Sequence, residues 1–237
     1  AIPYARDMLP ESAEVDRAQF PVLGKRFNDL ATRQADMAAM GVTHQVVLPA
    51  PGQQHYWAEP ELLARVSRLQ NAHVAQLVGS DPGRFTGLGT LPMTAPALAV
   101  AEATHAVESP GLRGFQIDTR AGAMALSDPA LDPLYARLVA LNVPLVLHPL
   151  GFSEGARLGD FFMVNTVGNP LEEVIAANHL ILGGVLDRHP GLRVKIVHGG
   201  GFLPFLIGRL DHAWKRRPEI HRLTAEAPSA YLNRLWY

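Results

Sequence analysis

Two histidines stand where chemistry is easiest to build. His148 closes the apolar run VPLVLH (143–148) and is followed by Pro149. Proline has no N–H to give to a sheet ladder, so a strand carrying His148 must stop there and release the imidazole at its end. A neutral imidazole is a common ligand for zinc and similar divalent ions; the competing reading is a histidine satisfied by a backbone hydrogen bond at a strand end. His198 closes VKIVH (194–198) and precedes Gly199, Gly200 and Gly201. Glycines open backbone conformations closed to other residues and leave room for a small molecule beside the main chain. A histidine there, with a pKa near neutrality, suits acid–base catalysis; the bland alternative is a flexible turn that happens to begin with His. Arg209 follows between Gly208 and Leu210. Its forked guanidinium matches a carboxylate, either on a substrate or in a plain ion pair with Asp211.

A serine-hydrolase reading needs weighing. His198-Gly-Gly-Gly imitates an oxyanion-hole loop, and Gly151-Phe152-Ser153-Glu154-Gly155 imitates a nucleophile elbow. The order is reversed relative to lipases, in which the glycine loop comes first. No clear helix opens after Ser153, as an elbow requires.

The elements that must position these residues alternate along the chain. Strands are expected at 43–49 (THQVVLP), 85–91 (FTGLGTL), 112–118 (LRGFQID), 143–148 and 194–198, with the first residues of another at 235–237. Between them fall helical stretches. One spans 59–77, with Leu62, Val66 and Leu69 at helical spacing. The next runs from an N-cap at Thr94, with Pro96 in its first turn, to about Glu108. Leu131, Leu134, Tyr135, Leu138 and Leu141 mark a further face, and two more helices are expected at 170–187 and 202–215. The near-continuous apolar run at 143–148 suggests a strand covered on both sides. Strand–helix alternation argues for a parallel α/β fold. The turn after the first strand, Ala50-Pro51-Gly52-Gln53-Gln54-His55, is not a phosphate-binding glycine turn, which disfavours a doubly wound sheet. A (β/α)8 barrel places its chemistry at the C-terminal ends of strands, where His148 and His198 fall.

The 237 residues, 48% hydrophobic, are enough for one large domain over 1–237. Such barrels usually reach about 250 residues or more, so the first and last strands are expected to be missing. A net charge of −1 gives no attraction to nucleic acid or to a membrane surface. The absence of cysteine rules out thiolate chemistry, and Ala1-Ile2-Pro3-Tyr4-Ala5-Arg6 does not read as a signal peptide. A cytoplasmic enzyme is expected.

The stretches 143–149 (VPLVLHP) and 194–201 (VKIVHGGG), the latter continuing through Pro204 to Gly208-Arg209, resemble the aminocarboxymuconate-semialdehyde decarboxylase branch of the amidohydrolase superfamily. Weaker echoes lie at 37–42 (MAAMGV), at Arg84-Phe85 with 87–92 (GLGTLP), and at 111–114 (GLRG). The resemblance implies a distorted (β/α)8 barrel holding one divalent metal, often zinc, with manganese as the alternative. It implies that His148 is a metal ligand, that His198 is the catalytic histidine, and that Arg209 binds a substrate carboxylate in a neighbouring subunit's site, hence a homodimer. The expected reaction is non-oxidative decarboxylation of a small unsaturated or aromatic carboxylic acid. Hydrolysis of a lactone or amide on the same site stays open, as does a non-catalytic fragment. Two departures stand out. No H-x-H pair occurs in the chain, and no late strand-end aspartate is present. Both gaps are expected if terminal segments of a longer protein are absent; Asp7 and His44 do not look like substitutes. An arginine that the decarboxylase carries ahead of 37–42 has no match, Phe20-Pro21-Val22 occupying that region.

Overall fold

The computed structural model describes residues 10–150, 152 and 155–237. Two helices come first, α1 (Pro10–Asn28) and α2 (Leu30–Ala39). Neither was expected from periodicity; Pro21 sits inside α1, and Asp29 caps α2 by accepting from Thr32 N at 2.8 Å. Alternation then sets in: β1 (Gln45–Val47), α3 (Pro60–Ser80), β2 (Phe85–Gly87), α4 (Pro96–Glu108), β3 (Phe115–Ile117), α5 (Asp132–Leu141) and β4 (Leu145–Leu147). It continues with α6 (Asn169–Leu182), α7 (Val185–Arg188), β5 (Val194–Ile196), α8 (Leu203–Arg216) and β6 (Leu235–Trp236).

Every strand pairing is parallel, and the strands follow one another in sequence order. The β1–β2 pair joins the β3–β4–β5–β6 sheet through a bridge between Gly89 and Phe115. Strand order without reversal is barrel topology; a doubly wound sheet would turn back on itself at a switch point. The fold is α/β of the TIM-barrel type.

The core lies between the sheet and its helices. Phe115, Ile117, Leu145, Leu147, Val194 and Ile196 meet Leu134, Tyr135 and Leu138 of α5 and Ala176, Ala177, Leu180 and Ile181 of α6 in one buried cluster. Each large apolar side chain removed from water there contributes roughly 1.5–3 kcal/mol. Tyr135 is fully buried, and its hydroxyl donates to Leu126 O at 2.7 Å. The middle strand residues point the other way. Val46, Lys195 and Trp236 are exposed, Val146 is half-buried and Gln116 is buried, so β4 is fully covered on one face and partly covered on the other. The helices pack on the first- and third-position side chains alone.

Three helix expectations need correction. The buried face of α3 is Leu63, Ser67, Asn71 and Val74, whereas Leu62 and Leu69 are exposed. Two polar residues occupy that face because Asn71 hydrogen-bonds into it, as described below. Thr94 is not the N-cap of α4; Ala95 holds that place, and the methyl of Thr94 packs over Gly122. The helix expected over 170–187 breaks after Leu182, because Gly184 takes φ +70°. Among the described residues no helix is long and apolar enough to cross a membrane.

Candidate active site

β4 and β5 pair in register, Leu145 with Val194 and Leu147 with Ile196. Their C-terminal ends therefore lie side by side. The main chain of His148 is still tied into the sheet, its N–H donating to Ile117 O of β3 at 3.0 Å, and Pro149 then ends the strand. His198 departs from strand geometry at once: its φ is +50°, a left-handed conformation uncommon outside glycine and asparagine. The two rings come together, centroids 5.0 Å apart and planes at 72°.

Both imidazoles are oriented through Nδ1. His148 Nδ1–H donates to Pro149 O at 2.8 Å; a carbonyl only accepts, so the proton sits on Nδ1 and Nε2 keeps its lone pair. Burial, then the neighbouring His198, hold the His148 pKa below its usual value, against the pull of its backbone hydrogen bonds. A neutral ring with a free Nε2 is the form that ligates a divalent metal. His198 Nδ1 lies 2.5 Å from Glu173 Oε1, and among the described residues neither ring has a hydrogen-bond partner on Nε2. The His198 side chain is 44% exposed, while Glu173 is fully buried. Burial raises the Glu173 pKa, opposed by the hydrogen bond from His198.

The strand end beside them is also polar. Asp118 follows β3, and burial pushes its carboxyl above the usual range despite hydrogen bonds from Thr119 N at 2.7 Å and Thr119 Oγ1 at 3.1 Å. Thr119 Oγ1 also lies 3.2 Å from Glu172 Oε2. The start of α6 thus offers two adjacent carboxylates, Glu172 toward the end of β3 and Glu173 toward the end of β5. Across from Asp118, burial and the charge of that carboxylate drive the Tyr56 phenol well above its ordinary pKa.

Among the described residues no group of three or more His, Asp or Glu side chains stands together as a metal site. His148 suits one ligand position and cannot complete the set. His44 is engaged elsewhere, within 3.2 Å of Gly83 O and 2.8 Å of Thr86 Oγ1. Asp7 lies outside the described residues, as do Gly151, Ser153 and Glu154 of the elbow-like segment. Arg209 lies exposed on α8, with no hydrogen bond or ion pair to His148, His198 or Asp211 among the described residues; Asp211 instead accepts from Ser229 N at 2.9 Å. Sequence reasoning missed Glu173. Its only local signal was the Glu172-Glu173 pair at the start of an otherwise apolar helix, which reads equally well as a favourable interaction with the helix dipole.

Known proteins resemble this chain in sequence and in fold. A curated 2-amino-3-carboxymuconate-6-semialdehyde decarboxylase of Dictyostelium discoideum is 31% identical over 228 residues, covering 93% of this chain and 64% of that protein. The chain thus spans just under two thirds of that relative's length. The crystal structure of 5-carboxyvanillate decarboxylase from Sphingomonas paucimobilis superposes with a TM-score of 0.83 at 29% identity, covering 90% of this chain and 65% of that one. A dihydroxybenzoic acid decarboxylase from Polaromonas sp. JS666, solved with manganese and the inhibitor 2-nitroresorcinol, gives 0.82 at 26% identity, covering 97% and 74%. The profile described as amidohydrolase matches residues 23–234, and with nearly the whole length so matched, the chain belongs to the amidohydrolase family.

Proposed function

We propose that this chain carries part of the active site of a metal-dependent, non-oxidative decarboxylase acting on a small aromatic or unsaturated carboxylic acid. The observation that carries the reading is the pair of adjacent imidazoles at the ends of β4 and β5, each oriented through Nδ1 and, among the described residues, with no hydrogen-bond partner on Nε2. The decarboxylase names of the relatives support the same reaction.

His148 would hold a divalent ion through Nε2. Zinc is the assignment favoured by the family resemblance, and manganese is the ion bound in the Polaromonas enzyme. When bound, such an ion supplies Lewis-acid charge for the substrate's oxygens. His198 moves the proton. In its protonated form it gives the Nε2 proton to the substrate carbon that bears the carboxylate. The bond to the carboxylate then breaks, its electron pair stays with the carbon to restore the π system, and CO2 leaves. The imidazole regains a proton from water. Among the described residues Arg209 has no hydrogen-bond or ion-pair partner, and it lies on an exposed stripe of α8 with Phe205, Gly208 and His212. That placement suits a guanidinium that binds the substrate carboxylate in the site of a second copy of the chain, as in a homodimer.

The test is CO2 release from a panel of hydroxybenzoates and unsaturated dicarboxylates, with the chain loaded with zinc or manganese. Release that disappears in His198→Ala while the metal content stays constant supports the assignment. A fully active His198→Ala variant would defeat it. Acid release without carbon loss would make the site a hydrolase, and a chain that retains no metal would make it a binding remnant.

A further inference from the structure

His198 is held in an unfavourable backbone conformation, and something must determine its ring. A non-glycine residue at positive φ is strained and persists only where its surroundings over-determine it. The only hydrogen-bond partner of the ring among the described residues is Glu173 Oε1. Glu173 reaches it from α6, fully buried, and its second oxygen, Oε2, has no hydrogen-bond partner among the described residues. A carboxylate buried with one unmatched oxygen is a poor structural choice.

Gly201 explains how this contact fits. Its φ of +59° with ψ −127° suits glycine. A Cβ there would come within 2.4 Å of Pro170 O and 2.7 Å of Glu173 Oε2. The third glycine of the turn is therefore the space into which the start of α6, with Glu173, is fitted.

We infer that Glu173 is the positioning residue of His198: it accepts the Nδ1 proton, fixes the tautomer and ring plane, and keeps Nε2 directed at the space beside His148. Its kinetic consequence rests on the decarboxylase reading; its structural consequence does not. The two are separated by nitrogen NMR of the histidine-labelled chain as isolated, with the His198 signals identified by their loss in His198→Asn. The wild-type chain should show one tautomer, with hydrogen on Nδ1. Glu173→Gln should keep it, because the amide oxygen still accepts, and Glu173→Ala should give a mixture. An unchanged tautomer in Glu173→Ala overturns the inference, whatever the activity. In turnover, Glu173→Ala should lower kcat by roughly 10–100-fold with little change in KM, the size seen for lost partners of functional histidines. Glu173→Gln should restore most of that loss. Gly201→Ala should reproduce the loss, and the Glu173→Ala/Gly201→Ala pair should lose no more than either alone; additive losses also count against it. If the tautomer follows Glu173 but no substrate is decarboxylated, positioning stands and the proposed reaction falls.

Discussion

Two buried glutamates, one on α4 and one on α6, make an instructive pair. Glu102 of α4 is 2% exposed, and both of its oxygens are engaged. Asn71 Nδ2 donates to Oε1 at 2.7 Å and Arg68 Nε to Oε2 at 2.5 Å. Asn71 in turn clasps Thr90, donating to its carbonyl at 3.0 Å and accepting from its N–H at 2.8 Å. Every side-chain polar atom of Glu102 and Asn71 is engaged, and together they tie α3 to α4 and to the chain leaving β2. Glu173 of α6 is as deeply buried, yet among the described residues only one of its oxygens is used, on a half-exposed histidine with a strained backbone. A complete network stabilises architecture; an incomplete one at a strand end keeps its capacity for a reaction.

The contrast can be broken by substitution. The largest effect should come from His198→Asn: a loss of about 10²–10⁴ in turnover, the usual range for a lost acid–base group. Asn71→Ala should do the reverse. It strands Glu102 Oε1 and both main-chain groups of Thr90, so chemical denaturation should reveal a loss of roughly 1–3 kcal/mol or more, while turnover per folded molecule holds. Equal effects of the two substitutions on turnover would erase the distinction.

Glu173→Gln should sharpen it through pH. The folded-state pKa of Glu173 is raised above its ordinary 4.5. The folded chain therefore holds this proton more tightly than the unfolded chain does. Glu173 accordingly weakens the fold as pH rises from the ordinary carboxylate range through the raised value. The glutamine variant should lack that decline, giving a flatter stability curve between mildly acid and neutral pH; a parallel curve would show that the carboxylate is well accommodated. The smallest effect is expected for Arg68→Ala. The Arg68 side chain is 48% exposed, Asn71 still holds Glu102, and the loss should stay below about 1 kcal/mol by denaturation.

Much of this was legible in the residues. The apolar runs ending in His148 and His198 placed two strand ends, and the alternation of elements placed them side by side. The failures have physical causes. The α3 face was misassigned because a hydrophobic count overlooks a polar side chain, Asn71, that is buried through its hydrogen bonds. The glycine pair at 183–184 ended a helix whose apolar spacing ran on past it. Glu173 was invisible because its partner is 25 residues away in sequence, and nothing local says that one of two adjacent glutamates is sealed from water. Arg209 is the opposite case: its local setting says little, and its exposure on α8 points outward rather than to the His148–His198 pair.

The left-handed twist at position 198 also governs which replacements evolution or a laboratory could sample there. In a saturation library sorted for soluble expression, asparagine, aspartate and glycine should survive best and valine, isoleucine and threonine should drop out, because branching at Cβ is least compatible with that region of φ/ψ space. Asparagine is therefore the replacement expected to keep the barrel while removing the imidazole.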